Sequence, residues 1–204
     1  MTHTLHRRGT EENLSGDFPM LCMAAQGFNT EGSKAKLQEY LKIALRHNPV
    51  NVGEMKFGNM YSHSAEQVVE NASGIVHALF DNEESTVSFM KDLKSADIGL
   101  SVVISGLFDA VKRCADKAGL KPHTIEYSLG IWGNTSLLPD EKILQVTTMC
   151  GHGMLSSNLI ASLVGDIRSG TKTPEAAAKQ LAASCCCGVF NPTRAAQLLA
   201  AAAK

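Results

Sequence analysis

Charge of one sign, aromatic residues and long apolar runs are all scarce in this chain, and each scarcity removes a class of function. The 204 residues carry 19 Lys and Arg against 20 Asp and Glu, a formal net charge of -1. No field of one sign therefore draws the chain to nucleic acid or to an anionic membrane surface. Aromatics make up 5%, too few for a platform on which bases stack. No apolar run approaches the roughly 20 residues of a membrane span. The polar opening stretch, with Arg7, Arg8, Glu11 and Glu12, lacks the apolar core of a signal peptide. These absences lead to the expectation of a cytoplasmic protein that meets a small molecule or another protein. Familiar signatures are missing too: there is no Gly-x-x-x-x-Gly-Lys loop, no Gly-x-Gly-x-x-Gly fingerprint, no Gly-x-Ser-x-Gly elbow and no His-Glu-x-x-His.

What is present is ordinary globular composition, 44% hydrophobic and 19% charged, enough for one good core. The pattern predicts a mixed α/β fold in one domain, residues 1–204, with an α/β part over 1–134 and a helical part over 135–204. Residues 20–25 read as a buried strand and 33–46 as a helix stopped by Asn48-Pro49. Ser64 and Gln67 form a capping box that opens a helix expected to carry Val68, Val69, Ala72, Ile75, Val76, Leu79 and Phe80. Residues 98–104, 107–118 and 123–129 read as a β-α-β unit with its two strands in one sheet. Beyond Trp132 the signals turn helical: Gly170 ends one helix, Thr173-Pro174 opens another, and Asn191-Pro192 opens the last.

Six cysteines stand out against this background. In a reducing compartment clustered thiols serve metal binding or catalysis more often than stapling. Cys22, in an apolar strand, and Cys114, on the inward face of a helix, read as core residues. Cys150, in Thr-Thr-Met-Cys-Gly-His-Gly-Met, and the run Cys185-Cys186-Cys187, before Gly188, differ. Each stretch is expected just ahead of a helix, whose N-terminal amides favour thiolate. Gly151 and Gly188 let the backbone approach a bulky inorganic group.

Alternation in an extended segment puts Cys185 and Cys187 on one side and Cys186 on the other. With Cys150 that makes three thiolates, one fewer than a closed four-iron cluster takes. One iron would then be open to a substrate, and Cys186 is the alternative fourth ligand. The expected cofactor is an iron–sulfur cluster of [4Fe-4S] type. Zinc held by Cys150, His152 and Cys185 or Cys187, metal-free redox thiols, and plain packing remain as alternatives.

An open iron suits lyase or sulfur-transfer chemistry on a small anionic molecule, with His152 as the nearby acid or base. Further candidates around such a site are Arg7 in the cationic N-terminal segment, Arg194 after Asn191-Pro192, His63 in a loop before a helix, and Trp132 and Asn134 beyond a strand end. The other readings of the cysteines make the chain a metal or cluster carrier, an electron-transfer protein or a zinc-binding structural protein. The Ala-rich last helix offers a face for a homodimer.

Overall fold

The computed structural model describes residues 3–204. A turn of helix, α1 (Glu11–Leu14), capped by Thr10, leads into strand β1 (Phe18–Met23). Then come α2 (Ser33–Leu45), the hairpin strands β2 (Asn51–Glu54) and β3 (Gly58–Asn59), and α3 (Ala65–Glu70), opened by the Ser64–Gln67 capping box. Strand β4 (Val76–Phe80), helix α4 (Glu83–Ala96), strand β5 (Ser101–Ile104) and helix α5 (Phe108–Ala118) complete the first half. After a stretch whose only helix is a 3-10 turn over Thr135–Leu137 come α6 (Glu141–Thr147), α7 (Ser157–Arg168), α8 (Pro174–Ser184) and α9 (Pro192–Ala203). Thr173 caps α8 and Asn191 caps α9, each followed by Pro at the first helical position, where a missing N–H costs nothing.

The five strands form one sheet in the order β3-β2-β4-β1-β5, and every neighbouring pair is antiparallel. Strands β1 and β2 consequently run parallel with β4 between them, and β4 and β5 run parallel with β1 between them. This is an interlocked pair of split β-α-β units, the connectivity of a ferredoxin-like sheet, and connectivity alone carries no function.

Alternation along the strands gives the sheet two faces, and helices cover both. Phe18, Met20, Cys22, Val52, Val76, Ala78 and Phe80 face α2, α3, α4 and α5 in one apolar core. Leu21 and Leu79 point the other way, into a second core built by α6, α7, α8 and α9. Tyr40 of α2 is wholly buried, and its hydroxyl donates to the Met20 carbonyl at 2.9 Å.

The mixed α/β class with a helical C-terminal part therefore stands, while two local expectations change. The helix expected to run from Ser64 through Phe80 stops at Glu70, and Val76–Phe80 is a strand between β2 and β1. All five of its residues are buried. A strand covered on both faces is apolar almost throughout, here at every position but His77, so it shows no period that separates it from a buried helix. The returning strand expected over residues 123–129 is absent: that segment has no regular secondary structure and pairs with no strand among the described residues. Among the described residues no helix is long and apolar enough to cross a membrane.

Candidate functional site

Three of the six cysteines meet inside the second core. Cys150 lies in the loop after α6, Cys185 is the C-cap of α8, and Cys187 follows in the turn toward α9. All three are buried, whereas Cys186 is exposed. The Cys185 and Cys187 sulfurs are 3.8 Å apart, and the Cys185 thiol also hydrogen-bonds to Cys150. Cys185 is thus the middle member of a hydrogen-bonded row of thiols.

Electrostatics differentiates the row. The hydrogen bond from Cys185 holds the Cys150 thiol down at about 5, against the opposing effect of burial, and the loop amides of His152, Met154 and Leu155 add to the lowering. Cys150 is therefore the member of the row most disposed to lose its proton. Cys185 shifts upward, first because its proton is shared with Cys150, then because of Cys187 and burial. This corrects the origin of the thiolate. Neither cysteine sits at a helix N-terminus: Cys185 ends a helix, where the dipole disfavours an anion, and at Cys150 the Cys185 hydrogen bond, with loop N–H groups adding to it, favours the thiolate. Cys22 and Cys114 behave as core thiols, pushed up by burial to about 12 and about 11.

The sheet supports the cysteine turn from below. Asn51 of β2 donates through Nδ2 to the Gly188 and Phe190 carbonyls at 2.8 and 3.2 Å, and Asn59 of β3 donates to the Ala182 carbonyl at 3.1 Å. His77 of β4 is wholly buried on the same face. A Cβ on Gly188, which has φ +70, would come within 2.4 Å of Asn59 Cβ and 2.9 Å of His77 Nε2. Glycine is required here for both reasons, left-handed backbone and close approach. His77, within the stretch expected to be helical, lies instead on strand β4 against the residue that follows Cys187. Its signal was a lone histidine in a wholly apolar run. Asn51 and Asn59 had no comparable signal, because a buried amide that braces a distant carbonyl looks like a loop residue.

The cationic N-terminal segment is tied down along its length. Thr4 hydrogen-bonds to Ser105, His6 to Ser128, and the Arg8 amide to Thr148 Oγ1 at 3.0 Å. Arg7 Nη1 lies 2.6 Å from both carboxylate oxygens of Asp17, and its Nη2 donates to the Val189 carbonyl at 2.7 Å. Asp17 also accepts from Asn191 Nδ2 at 3.1 Å. Arg194, far from being a solvated helix charge, is 1% exposed. It donates to Asn13 and to the Arg8 carbonyl and stands 3.6 Å from Asp17. Burial pulls its guanidinium down to about 10, opposed by Asp17 and aided by Arg7. Arg7 and Arg194 are thus committed to a buried charge cluster. That cluster straps the N-terminus to Thr148 and Val189, each two residues from a cysteine of the row.

The remaining candidates lie elsewhere. Gly151 and His152 are on the exposed part of the Cys150 loop, with the His152 amide turned in to the thiolate. His63 stacks on Phe57 with ring centroids 4.2 Å apart, at the end of the β2–β3 hairpin. Trp132 is 83% exposed, and Asn134 is exposed, bonded to Ser136. Neither lines a pocket with the cysteines. An open cleft of about 660 Å³ runs between the strap and α6, with His6, Arg7, Arg8, Ser128, Thr135 and Glu141 among its walls.

Among the described residues no three His, Cys, Asp or Glu side chains form a ready-made metal-holding group. Comparison with protein-family models, with curated proteins and with solved structures yields no match.

Proposed function

We propose that the chain is a metal–thiolate protein in which Cys150, Cys185 and Cys187 take up an iron–sulfur cluster, [4Fe-4S] in type. The observation that carries this is the meeting of three buried thiols from two loops, with the Cys185 and Cys187 sulfurs 3.8 Å apart, Cys185 bonded to Cys150, and Cys150 favoured as thiolate by the donors around it. The thiolate is the form that a metal binds. Uptake replaces the protons shared between the sulfurs by bonds to metal, releases those protons, and draws the two loops together. Three ligands leave one iron of four without a protein donor. That iron would serve as Lewis acid in lyase or sulfur-transfer chemistry on a small anionic molecule. His152, exposed on the outer part of the Cys150 loop, would be the residue to move a proton.

A second reading is a zinc site. Two sulfurs on one tetrahedral zinc, with Zn–S of about 2.3 Å, lie roughly 3.8 Å apart, which is the separation of Cys185 and Cys187. Anaerobic purification of the full chain, followed by absorption spectroscopy and by iron, sulfide and zinc analysis, separates these readings. Iron and sulfide retained in Cys186→Ala but lost in Cys185→Ala supports the three-cysteine cluster. Loss in Cys186→Ala replaces it with a four-cysteine one. Zinc without iron supports the second reading, and a colourless, metal-free, stably folded chain removes both.

A further inference from the structure

We infer that residues 123–132 form an exchange arm, which in solution adds as a sixth strand to the open edge of β5 in a second copy of this chain. Three features of the isolated chain converge on this. The segment alternates apolar Ile125, Tyr127, Leu129 and Ile131 with Thr124, Glu126, Ser128 and Gly130, the period of a strand with one buried face. Yet those four apolar side chains are 64%, 65%, 74% and 49% exposed. Strand β5 is the last in the sheet order, bonded on one side to β1 and to no other strand among the described residues. An edge of this kind is a template for an added strand. Val103 of β5, in register with Leu21, points to the face that carries the second core, but is itself 44% exposed. The helices of that core therefore leave the β5 end of the sheet bare.

The segment's contacts within its own chain are sparse and peripheral. Tyr127 meets Phe108 edge-on at 6.1 Å, His6 reaches Ser128, and the Trp132 indole N–H donates back to the Leu129 carbonyl. Phe108 is itself exposed. With Phe108, Val103 and Trp132, the four alternating side chains leave on the order of 800 Å² of apolar surface bare, taking ~150–250 Å² for each large side chain. That total is about what one partner contributes to a stable interface.

The occupant is a second copy because one chain supplies both halves of the contact, an unpaired edge and a strand patterned to fill it. A two-fold exchange satisfies both at once through a self-complementary interface. The arm holds a single carboxylate, Glu126, and the chain's net charge is -1, so neither selects a charged partner nor repels an identical one. The apolar face of α9 is not available for this contact: Ala195, Leu198, Leu199 and Ala202 are buried in their own chain.

The test is sedimentation equilibrium of the full chain beside Leu129→Asp, on the arm, and Val103→Lys, on the edge, with amide hydrogen exchange over residues 124–131. The parent is expected at twice the chain mass, with alternate arm amides protected. Each variant is expected to weaken association by about tenfold or more while unfolding at the parent's midpoint. A parent that stays monomeric overturns the inference, whether its arm amides are exposed, as for a segment awaiting a different partner, or protected, as for an arm docked on its own sheet. A dimer indifferent to both substitutions, or one whose arm exchanges freely, overturns it as well.

Discussion

Replacing Asp17 by Asn removes one charge and almost no volume from the cluster that fastens the N-terminal strap. The carboxylate accepts from Arg7 Nη1 through both oxygens at 2.6 Å and from Asn191 Nδ2 at 3.1 Å, with Arg194 Nη1 at 3.6 Å. The Arg7, Asp17 and Arg194 side chains are 4%, 2% and 1% exposed, so water cannot stand in for the lost charge. Asp17→Asn keeps one carbonyl acceptor but leaves two buried guanidiniums without a counter-ion. Breaking a buried pair in this way costs about 3–5 kcal/mol, and the second arginine places this case at the upper end. Against a total stability of roughly 5–15 kcal/mol, such a loss is easily read from the urea midpoint, provided the slope matches the parent's. Glu141→Gln is the reference. It breaks the partly exposed Arg8–Glu141 pair, and such pairs contribute about 1 kcal/mol or less. A double-mutant cycle with Arg7→Met should return a coupling of at least ~1 kcal/mol. A loss for Asp17→Asn no larger than that for Glu141→Gln refutes the argument, since the carboxylate would then be behaving as a solvated one.

Two further outcomes follow from the thiol row and the turn that carries it. In the reduced, metal-free chain, thiolate absorbance is expected to show a titration near pH 5 that disappears in Cys150→Ser. Because this pKa lies below the unfolded value of about 8.5, the thiolate's stabilising contribution is complete above pH 8.5. It shrinks as pH falls from there and is gone below about 5. A lowest thiol midpoint at the unfolded value would contradict the assignment of Cys150 as the thiolate. Gly188→Ala must place a side chain at φ +70 and within 2.4 Å of Asn59 Cβ. The left-handed backbone alone costs about 1–2 kcal/mol, so an unfolding loss of roughly 2 kcal/mol or more is expected. A loss below ~1 kcal/mol would show that the cysteine turn does not rest on β3 and His77.

Some of this was readable before any coordinates, where the signal is local. Thr173-Pro174 and Asn191-Pro192 open helices because a side-chain cap and a proline act on the backbone immediately beside them. Cys185 and Cys187 are buried while Cys186 is exposed, as their spacing two apart suggested, although a turn closed by the Gly188 N–H on the Cys185 carbonyl at 2.9 Å, not extended backbone, sets this. The burial of Cys22 and Cys114 likewise followed from the apolar neighbours on their own element.

What only the tertiary structure decided depends on groups far apart in the chain. Val76–Phe80 is a strand because β1 and β2 flank it and helices cover both faces, and a pentapeptide apolar but for His77 carries no record of its neighbours. His77 joins the site only once β4 is a strand and Gly188 is laid across it. Arg7 and Arg194 become structural because Asp17, distant from Arg194 in sequence, is folded between them. The segment 123–132 has a strand's alternation and, among the described residues of one chain, no strand paired with it. The cysteines themselves divide along the same line. The spacing that sets Cys186 apart from Cys185 and Cys187 was written in the sequence, but which sulfur most readily becomes a thiolate was not. Its charge is set by the Cys185 proton, brought from another loop, and by amides that turn inward only when the loop closes.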